Sequence, residues 1–399
     1  MHYAARQPIL DLRGKVRGYE LLFRNGPDAA PRDDGEFAMR SMLDTVMLFG
    51  LENLTSNLPA FVNCTAETMT NGLVQIFPAK ITVLEVREGI EPSPKLIAAC
   101  SSLRAAGYKL ALDHITWRRG IEALVEAANY IKVDFARTDA QERYKLLHRL
   151  TGGPVALVAE NVETQEQFTK ARAEGFSLVQ GFYFCRPVLI ENRGVPSNWL
   201  SRVEILRQLQ NESLDLRKIT ELVKRDPSLT YRLLHLINSP ICAMLQKVTS
   251  IQAALLAVGE ETFRRMATVA IASEMNAGQT TELLRMAFVR GRFCEMAAAH
   301  KSLDGREQYL LGLLSLLPAM LRVPMKVLTP SLPLRDEICR ALEGEQVADR
   351  GLLQWLEQYE KADWAACDTL AESLHVDTNT LIGCFREAMT WAEAALYFA

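Results

Sequence analysis

The sequence predicts two fold classes in succession, an α/β barrel of the TIM type followed by an all-α domain. Four short apolar runs in the first half, residues 81–85, 109–113, 130–134 and 155–160, each end at a carboxylate. Runs of this length that are rich in β-branched residues are typical of buried parallel strands, and the segments between them have the spacing of amphipathic helices. Repeated strand–helix units favour a barrel, whereas the later sequence has almost no strand pattern.

Further strands and helices are predicted on both sides of these four runs. Residues 7–10 and 18–23 form a predicted hairpin with its turn at 11–15, and two more strands are predicted at 60–65 and 177–182. The predicted helices of this half are 36–49, 94–106, 121–128, 139–150 and 164–174.

The carboxylates at the strand ends predict a metal site. In a barrel, side chains at the carboxyl ends of the strands converge on one mouth. Several carboxylates at one mouth repel each other unless a cation lies among them, so the pattern predicts a divalent metal ion. Taken singly, an acidic residue at a strand end is more often a helix cap or part of a surface ion pair, and for Asp134 the cap stays an equal alternative.

The second half has a different pattern. A polar segment with glycine and proline, residues 190–198, is predicted to be a linker. Residues Ser228, Ser250 and Asp304 are predicted caps or turn residues. Helical spacing is found in residues 214–224, 229–236, 251–258, 262–272, 282–299, 308–317, 352–359, 367–374 and 379–396. We therefore predict a barrel domain of residues 1–195 and a helical domain of residues 196–399.

Composition indicates an ordinary globular protein. Hydrophobic residues make up 49% of the chain and charged residues 23%, and the net charge of −3 gives no overall attraction to nucleic acid or to an anionic membrane. No apolar run reaches the roughly 18 to 20 residues of a membrane span, and the N-terminus lacks the apolar core of a signal peptide. The 8 cysteines include no Cys-x-x-Cys pair, which is typical of reduced thiols. These features predict a cytoplasmic protein that binds neither nucleic acid nor membrane.

Several motifs, in their order along the chain, resemble those of the EAL domain, the barrel that hydrolyses cyclic di-GMP in bacterial signalling. The motifs are Gln7-Pro8-Ile9, Glu20-Leu21-Leu22-Phe23-Arg24, Phe61-Val62-Asn63, Leu84-Glu85 with Glu88, Ile131-Lys132-Val133-Asp134, Ala159-Glu160 with Glu163-Thr164, and Gln180-Gly181-Phe182 with Arg186-Pro187. The second of these stands where the family has Glu-Ala-Leu-x-Arg, with Leu21 in place of the alanine.

The resemblance implies a role for each matching residue. It implies that Mg²⁺ or Mn²⁺ is held by Glu20, Asn63, Glu85, Asp113 and Glu160. It places Lys132 near the attacking water and lets Glu160 hold a metal or accept a proton. Around the nucleotide it places Gln7, Arg24, Glu88, Glu163 and Gln180, with Glu88 holding a neighbouring loop and Glu163 tying down a strand end.

One departure from the family concerns the second metal ion. Where the family has two adjacent aspartates followed by Phe-Gly, this chain has Asp113-His114-Ile115-Thr116. A neutral histidine can bind a metal, but it lacks the charge and the bridging geometry of a carboxylate. We interpret His114 as a residue that hydrogen-bonds to ligands more readily than as a ligand itself.

The helical half resembles the HDOD domain, a relative of the HD phosphohydrolases that lacks their metal ligands. The resemblance is carried by Asp226-Pro227-Ser228-Leu229, by residues 233–240 and by residues 248–259. Ser315 and Leu316 follow an apolar Gly-Leu-Leu helix where the HD enzymes have their His-Asp pair. The resemblance therefore implies a non-catalytic domain for contacts with protein partners.

Two hypotheses follow for the barrel, and the oligomeric state stays open. In one, the barrel is a regulatory module that binds cyclic di-GMP, weakly or not at all, and the changed loop after Asp113 favours this hypothesis. In the other, it is a Mg²⁺- or Mn²⁺-dependent phosphodiesterase that opens cyclic di-GMP to linear pGpG. A second ion beside His114 would favour the enzyme, whereas direct pairing of Arg24 or Lys132 with Glu85 or Glu160 would count against it. Nucleic-acid binding has the least support, because the sequence has no basic patch interleaved with aromatic residues.

Overall fold

The computed structural model describes most of the chain and divides it into two compact units. The described residues are 2–25, 50–87, 89–115, 120–150, 153–185, 199–211, 213–224, 226–238, 248–276 and 279–396. One unit contains residues 1–186 and 358–364, and the other contains 187–357 and 365–399. The predicted domain boundary at residues 195 and 196 lies outside the described residues.

The first unit contains a closed barrel whose strands follow one another in sequence order. Strand β1 is antiparallel to both of its neighbours, β2 and β8, and the other neighbouring pairs are parallel. The strands are β1 (His2–Asp11), β2 (Val16–Asn25), β3 (Ala60–Cys64), β4 (Thr82–Val86), β5 (Lys109–Asp113), β6 (Tyr130–Asp134), β7 (Ala156–Glu160) and β8 (Leu178–Gln180). The predicted barrel and its opening hairpin are confirmed.

Helices connect the strands of the barrel. They are α1 (Leu51–Thr55), α2 (Ala66–Thr70), α3 (Pro94–Ala105), α4 (Ile121–Ala127), α5 (Ala140–Leu150) and α6 (Gln165–Glu174). Helix α6 begins at a capping box. The Thr164 hydroxyl accepts from the Gln167 backbone N–H, and the Gln167 side-chain oxygen accepts from the Thr164 backbone N–H. The predicted helix at residues 36–49 lies outside the described residues.

The barrel interior contains two layers, because successive side chains of a strand point to opposite faces and every second one shares a face. The apolar layer contains Ile9, Phe61, Val83, Ala111, Tyr130, Val158 and Leu178. Two positions further along the parallel strands, and two positions earlier on antiparallel β1, come polar residues. These are Gln7, Asn63, Glu85, Asp113, Lys132, Glu160 and Gln180.

Strand β2 contributes Gly18 to the apolar layer and Glu20 to the polar one. A Cβ atom at Gly18 would lie 2.9 Å from the ring of Phe61 and 2.7 Å from the carbonyl oxygen of Pro59. The missing side chain therefore gives the buried Phe61 ring its space. The same strand then presents Glu20 to the layer above.

The second unit is helical throughout its described residues, as predicted. The helices that lie wholly or mostly in it are α7 (Trp199–Leu209), α8 (Leu216–Lys224), α9 (Pro227–Ile237), α10 (Ile251–Val258), α11 (Glu260–Met275), α12 (Thr281–Ala298), α13 (Gly305–Leu314), α14 (Leu317–Leu321), α15 (Met325–Leu328), α16 (Asp336–Leu342), α17 (Gly351–Glu360), α18 (Trp364–Leu374) and α19 (Thr378–Leu396). Ser250 and Asp304 cap α10 and α13 as predicted, whereas α9 is capped by Asp226 and not by Ser228.

Two polar side chains tie helices of this unit together. The buried Arg202 of α7 donates to Asp226 Oδ2 at 3.0 and 2.9 Å, while Asp226 Oδ1 accepts from the backbone of Leu229. Asn238, at the end of α9, donates to the carbonyl oxygens of Leu234 and Val248 at 2.8 and 2.7 Å and accepts from Val248 N at 2.8 Å. Asn238 thus caps the C-terminal end of α9 and also joins that end to Val248, ten positions later in the chain.

The predicted helix of residues 308–317 ends earlier in the structure, and the apolar run continues in a second helix. Helix α13 ends at Leu314 and α14 begins at Leu317, with Pro318 in its first turn. Proline has no N–H to donate to a preceding turn, so the helix restarts there. Within the described residues, no single helix meets the length and hydropathy needed to cross a membrane, although 305–321 and 325–331, bent by 103°, meet them as a pair.

Candidate functional site

The polar layer of the barrel forms one connected network around the Lys132 ammonium group. The side chain of Lys132 is 1% exposed, and its Nζ donates to Glu20 Oε2 at 2.8 Å and to Glu85 Oε1 at 2.5 Å. It also forms an ion pair with Glu160 Oε1. Three carboxylates from three strands therefore share one cation, and the direct pairing of Lys132 with Glu85 and Glu160 is present.

Amide side chains complete the network on the side of Glu20. Asn63 Nδ2 donates to Glu20 Oε1 at 2.8 Å, and Gln180 Nε2 donates to Glu20 Oε2 at 2.6 Å. Gln180 Nε2 also donates to Gln7 Oε1 at 2.8 Å. The strand registers explain these contacts, because Gln7 lies opposite Glu20 and Asn63 lies opposite Glu85.

Burial and charge act differently on the three carboxyl groups. Burial disfavours the charged form of Glu20, but the Lys132 ammonium and the hydrogen bonds from Gln180 and Asn63 bring the pKa of Glu20 below its ordinary value. Burial raises the pKa of Glu85 well above its ordinary value despite the Lys132 ammonium, and the charges of Glu20, Glu160 and Asp113 act in the same direction as burial. Burial and the charges of Glu20 and Asp113 raise the pKa of Glu160 to about 7. Glu85 and Glu160 therefore hold a proton more readily than an ordinary glutamate, because one ammonium group does not compensate the burial of three carboxylates.

His114 lies on the other side of Glu160, directly after β5. Its backbone is in the left-handed region, with φ of 43°, and its N–H donates to the carbonyl oxygen of Lys132 at 3.1 Å. Its Nδ1 forms an ion pair with Asp113 Oδ1, and its Nε2 lies 3.2 Å from Glu160 Oε2 and 3.6 Å from Asp134 Oδ2. Burial opposes protonation, but the carboxylates of Asp113, Glu160 and Asp134 raise the pKa of His114. A second side chain that can carry a positive charge thus lies among the carboxylates.

Asp134 acts as a turn cap. Its Oδ1 accepts from the backbone N–H groups of Ala136 and Arg137 at 2.8 and 2.9 Å. Its Oδ2 accepts from Asn161 Nδ2 at 2.9 Å. Asn161 also has a left-handed backbone, with φ of 54°, a conformation that asparagine adopts more readily than most residues. Asp134 therefore lies beside His114 while its own oxygens bond to the turn and to Asn161.

The donor set fits a divalent cation. Ligand oxygens of Glu20, Glu85 and Glu160 lie within 4.8 Å of one another, and a second group of Asp113, His114 and Glu160 meets the same distance. Glu85 Oε2 is buried and has no hydrogen-bond partner among the described residues. Carboxylate and amide oxygens are the ligands that Mg²⁺ and Mn²⁺ prefer.

The structure brings most of the predicted site residues into this network. Those in contact with one another are Gln7, Glu20, Asn63, Glu85, Asp113, Lys132, Glu160 and Gln180. Glu163 is exposed on the turn before α6, where its backbone N–H donates to Gln167 Oε1 at 2.7 Å. The side chain of Arg24, and Glu88 as a whole, lie outside the described residues.

Sequence reasoning predicted that His114 interacts with metal ligands but did not identify Glu160 as its neighbour, and it missed the contact of Asn161 with Asp134. Both residues directly follow a strand-end carboxylate and both depart from the motif they resemble. Histidine and asparagine adopt a left-handed backbone more readily than most residues, so their occurrence directly after a strand-end carboxylate could have indicated these contacts.

In the helical unit, Ser315 stands where the HD enzymes have the histidine of their His-Asp pair, and its side chain bonds to an arginine. Ser315 Oγ accepts from Arg290 Nη1 at 3.1 Å and donates to the carbonyl oxygen of Gly312 at 2.7 Å. His235 stacks against the ring of Tyr231. Among the described residues of this unit, no group of His, Cys, Asp or Glu has the spacing of a metal site.

Comparisons with known proteins match both halves. The model of the EAL domain matches residues 65–187, and the model of the HDOD domain matches residues 196–326. A Bacillus subtilis protein called uncharacterized protein YuxH is 30% identical over 98% of this chain and 97% of its own length. The cyclic di-GMP phosphodiesterase CdgJ of Vibrio cholerae is 29% identical over 98% of this chain and 92% of its own length.

Solved EAL structures also match the first half. A calcium and cyclic di-GMP complex of BlrP1 from Klebsiella pneumoniae has a TM-score of 0.38 and 21% identity, over 45% of this chain and 54% of its own. The similarity to YuxH over nearly the whole chain shows the family, and the EAL and HDOD matches give the order of its two domains. This chain belongs to the family of two-domain proteins that join an EAL domain to an HDOD domain.

Proposed function

We propose that this chain is a cyclic di-GMP-linked signalling protein whose barrel is a nucleotide-binding, regulatory module and whose helical half contacts a protein partner. The observation that carries the regulatory assignment is the position of the Lys132 and His114 side chains among the carboxylates. Lys132 bonds to Glu20, Glu85 and Glu160, and His114 bonds to Asp113 and lies beside Glu160. Family membership and the name of the relative CdgJ support the choice of nucleotide.

A single divalent ion fits this arrangement better than two. Glu20, Asn63, Glu85 and Glu160 would hold it, with Asp113 nearby, and the buried free oxygen of Glu85 gives it a ligand without breaking a hydrogen bond. The ion would neutralise the cluster and attract a phosphodiester. When all are ionised, the three carboxylates exceed Lys132 by two negative charges, so nucleotide binding is expected to require Mg²⁺ or Mn²⁺.

The position of His114 supports regulation over turnover. A second ion would need carboxylate oxygens near Asp113 and Glu160, and there the histidine interacts with both. His114 stands where the family has a second aspartate, and an imidazole lacks the charge and the bridging geometry of that carboxylate. Two-metal hydrolysis depends on stabilising both the attacking and the leaving oxygen, and one ion cannot do both.

Hydrolysis of cyclic di-GMP to linear pGpG is the second candidate function. It is favoured by the name of CdgJ, which is similar to this chain over nearly its whole length, and by the assembly of Glu20, Asn63, Glu85, Lys132 and Glu160 at one mouth. In that case Lys132 would orient or polarise the attacking water, and Glu160 would bind metal or accept its proton.

Binding and turnover are separated by one set of measurements on the purified full chain. Calorimetry with cyclic di-GMP is carried out with Mg²⁺, with Mn²⁺ and with EDTA, and product formation is followed by chromatography. Glu20→Ala removes the acceptor of Lys132, Asn63 and Gln180, and exposed Glu166→Gln on α6 is the control.

Metal-dependent binding without turnover, lost in Glu20→Ala and kept in Glu166→Gln, is the expected result. Turnover that disappears in Glu20→Ala would replace the regulatory assignment with the phosphodiesterase. Absence of both binding and turnover in the wild-type chain would contradict both functions.

A further inference from the structure

A pocket lies wholly within the second unit. Its volume is about 430 Å³, within the range of roughly 300 to 1,000 Å³ that is typical of small-molecule sites. It is lined by the end of α7, by the N-terminal part of α11 and by residues of α12, α13 and α19. All of these elements belong to one compact unit, so the pocket is complete without the barrel. Ser315 and Leu316 do not line it, so it is not the position that resembles the HD dyad.

Arginine residues dominate the charge of this pocket. Four arginines and three glutamates line it, so positive charges exceed negative ones by one. The arginines are Arg264, Arg265, Arg292 and Arg306, and the glutamates are Glu260, Glu261 and Glu295. Arginine stays protonated throughout the usual pH range, so this excess does not depend on pH near neutrality. The pocket therefore suits a ligand that carries an anionic group together with hydrogen-bond donors for the glutamates.

Arg292 has donor capacity left for such a ligand. Its side chain is 29% exposed, and its one hydrogen bond to a described residue runs from Nη1 to Glu295 Oε2 at 2.8 Å. Arg207 of α7, in contrast, uses Nε and Nη2 to bond to both oxygens of Glu204, each at 2.9 Å. A guanidinium group has five N–H donors in a planar fork, and a phosphate oxygen is a matching acceptor.

An aromatic wall lies next to Arg292. Trp391 of α19 is partly exposed, and its ring lies edge-on to that of Tyr309, with centroids 6.4 Å apart and planes at 86°. The guanidinium carbon of Arg292 lies 5.8 Å from the centroid of the Trp391 ring. An anion bound by Arg292 would therefore have an indole ring beside it, and flat rings pack favourably against indole and guanidinium groups.

We propose that this pocket binds a nucleoside monophosphate, with its phosphate at the arginines and its base against Trp391. Forked guanidinium donors match phosphate oxygens, and aromatic side chains match the planes of bases. The glutamates would accept from the ribose hydroxyls and from N–H donors of the base. This inference goes beyond the proposed function and does not depend on it, because it places a metal-independent nucleotide site in the helical half.

The test measures binding to the purified full chain by calorimetry and by tryptophan fluorescence. EDTA is present throughout, because the nucleotide site proposed in the barrel requires a divalent ion. The probes are 5′-GMP, 5′-AMP, ribose 5-phosphate and inorganic phosphate.

The variants change the two parts of the pocket separately. Arg292→Gln and Arg306→Gln each remove one cation, and exposed Arg340→Gln on α16 makes the same change outside the pocket. Trp391→Phe removes the indole and keeps an aromatic ring. Circular dichroism and thermal unfolding check that each variant is folded, and Arg306→Gln keeps the test decisive if Arg292→Gln does not fold.

The wild type is expected to bind 5′-GMP or 5′-AMP about tenfold or more tightly than ribose 5-phosphate, because the base adds a stacking contact. Each pocket arginine variant should lose about tenfold or more in nucleotide affinity, whereas Arg340→Gln should stay within about twofold of the wild type. Bound nucleotide should quench the fluorescence of the wild type, and most of this quenching should be absent in Trp391→Phe.

Three results would overturn the inference. The first is no nucleotide binding by the wild type at concentrations up to about 1 mM. The second is equal affinity for the nucleotides and for ribose 5-phosphate, which would show that the base is not recognised. The third is nucleotide affinity unchanged in the pocket arginine variants, or quenching that persists in Trp391→Phe, which would exclude this pocket. All three leave the metal-dependent binding of cyclic di-GMP by the barrel to its own test.

Discussion

One ammonium group holds three buried carboxylates together at the residue scale. A lysine that is 1% exposed would ordinarily lose its proton, because burial disfavours its charged form. Here burial is outweighed by the carboxylates of Glu20, Glu85 and Glu160, which raise the pKa of Lys132 well above its ordinary value. Lys132 therefore stays charged, and the metal-free site depends on it.

Replacing Lys132 with methionine is expected to destabilise the metal-free protein by about 3 kcal/mol, because removing one partner leaves buried charges uncompensated. Added Mn²⁺ should restore part of this loss and raise the melting temperature of Lys132→Met more than that of the wild type. Thermal unfolding with EDTA and with Mn²⁺ measures both effects. The control, exposed Lys170→Met, should change the melting temperature little, and an equal response to Mn²⁺ in Lys132→Met and wild type would contradict the expectation.

The titration of Glu160 gives a second expectation at this scale. Its pKa is about 7 in the folded protein, above the ordinary value of 4.5, so between these values the folded state binds more protons than the unfolded state. Its contribution to stability is therefore present below pH 4.5 and lost as the pH rises through 7. Relative to Glu160→Gln, the metal-free wild type should lose about 2 kcal/mol of unfolding free energy between pH 5 and pH 8.

Urea unfolding of both proteins in EDTA, at pH steps across this range, measures the difference. Exposed Glu166→Gln serves as the reference for a carboxylate outside the cluster. Wild-type and Glu160→Gln stabilities that run parallel from pH 5 to pH 8 would show that the Glu160 carboxyl is not perturbed.

Most of the network could be predicted because strand alternation and strand order fix it. Glu85, Asp113 and Glu160 end apolar runs, and parallel strands bring such ends to one mouth. The contacts that His114 and Asn161 make could not be predicted from the sequence, since they depend on the left-handed backbone conformation of these residues after the strand ends. Which carboxylates share Lys132 also depends on side-chain geometry that no spacing rule gives.

At the scale of elements, two features of the second unit stand out, namely the break between α13 and α14 and the close packing of α12 against α13. The break between α13 and α14 follows from Pro318, which lies inside a run whose apolar character alone suggested one helix. Apolar periodicity detects that helices are present, but it does not show how closely two of them pack. At Gly312 of α13 the two helices approach each other closely, because a Cβ atom there would lie 2.2 Å from the carbonyl oxygen of Arg290 on α12.

Gly312→Ala is therefore expected to destabilise the protein by about 2 kcal/mol or more, since the two helices must move apart. Gly383 lies inside α19, and a Cβ atom there would have no atom within 4 Å. Gly383→Ala should be neutral or stabilise the protein by up to about 1 kcal/mol, through helix propensity alone. Chemical unfolding of both variants compares the same substitution in two settings, and a Gly312→Ala protein as stable as Gly383→Ala would refute the close approach.

At the scale of the whole molecule, two compact units each have a core of their own. The order of a barrel and a helical domain could be predicted because strand and helix periodicities change along the chain. Short helices such as α15 and α16 were not predicted, since four to seven residues show too little periodicity.

Calorimetric unfolding of the full chain is expected to show two transitions. Mn²⁺ should raise the temperature of one transition, which Lys132→Met lowers, while Gly312→Ala should lower the other. A single transition that shifts in all three cases would show that the units unfold together.

The order of strands around the barrel has a consequence for biosynthesis. Glu20 and Gln7, from the first hairpin, are bonded to Gln180, which lies 160 and 173 residues later in the chain. At roughly 5 to 20 residues per second, a ribosome takes on the order of ten seconds or more to reach it. Until then β1 lacks its neighbour β8, so a nascent chain exposes an unpaired strand edge. Metal or nucleotide can therefore be acquired in the native geometry only after the last strand has emerged.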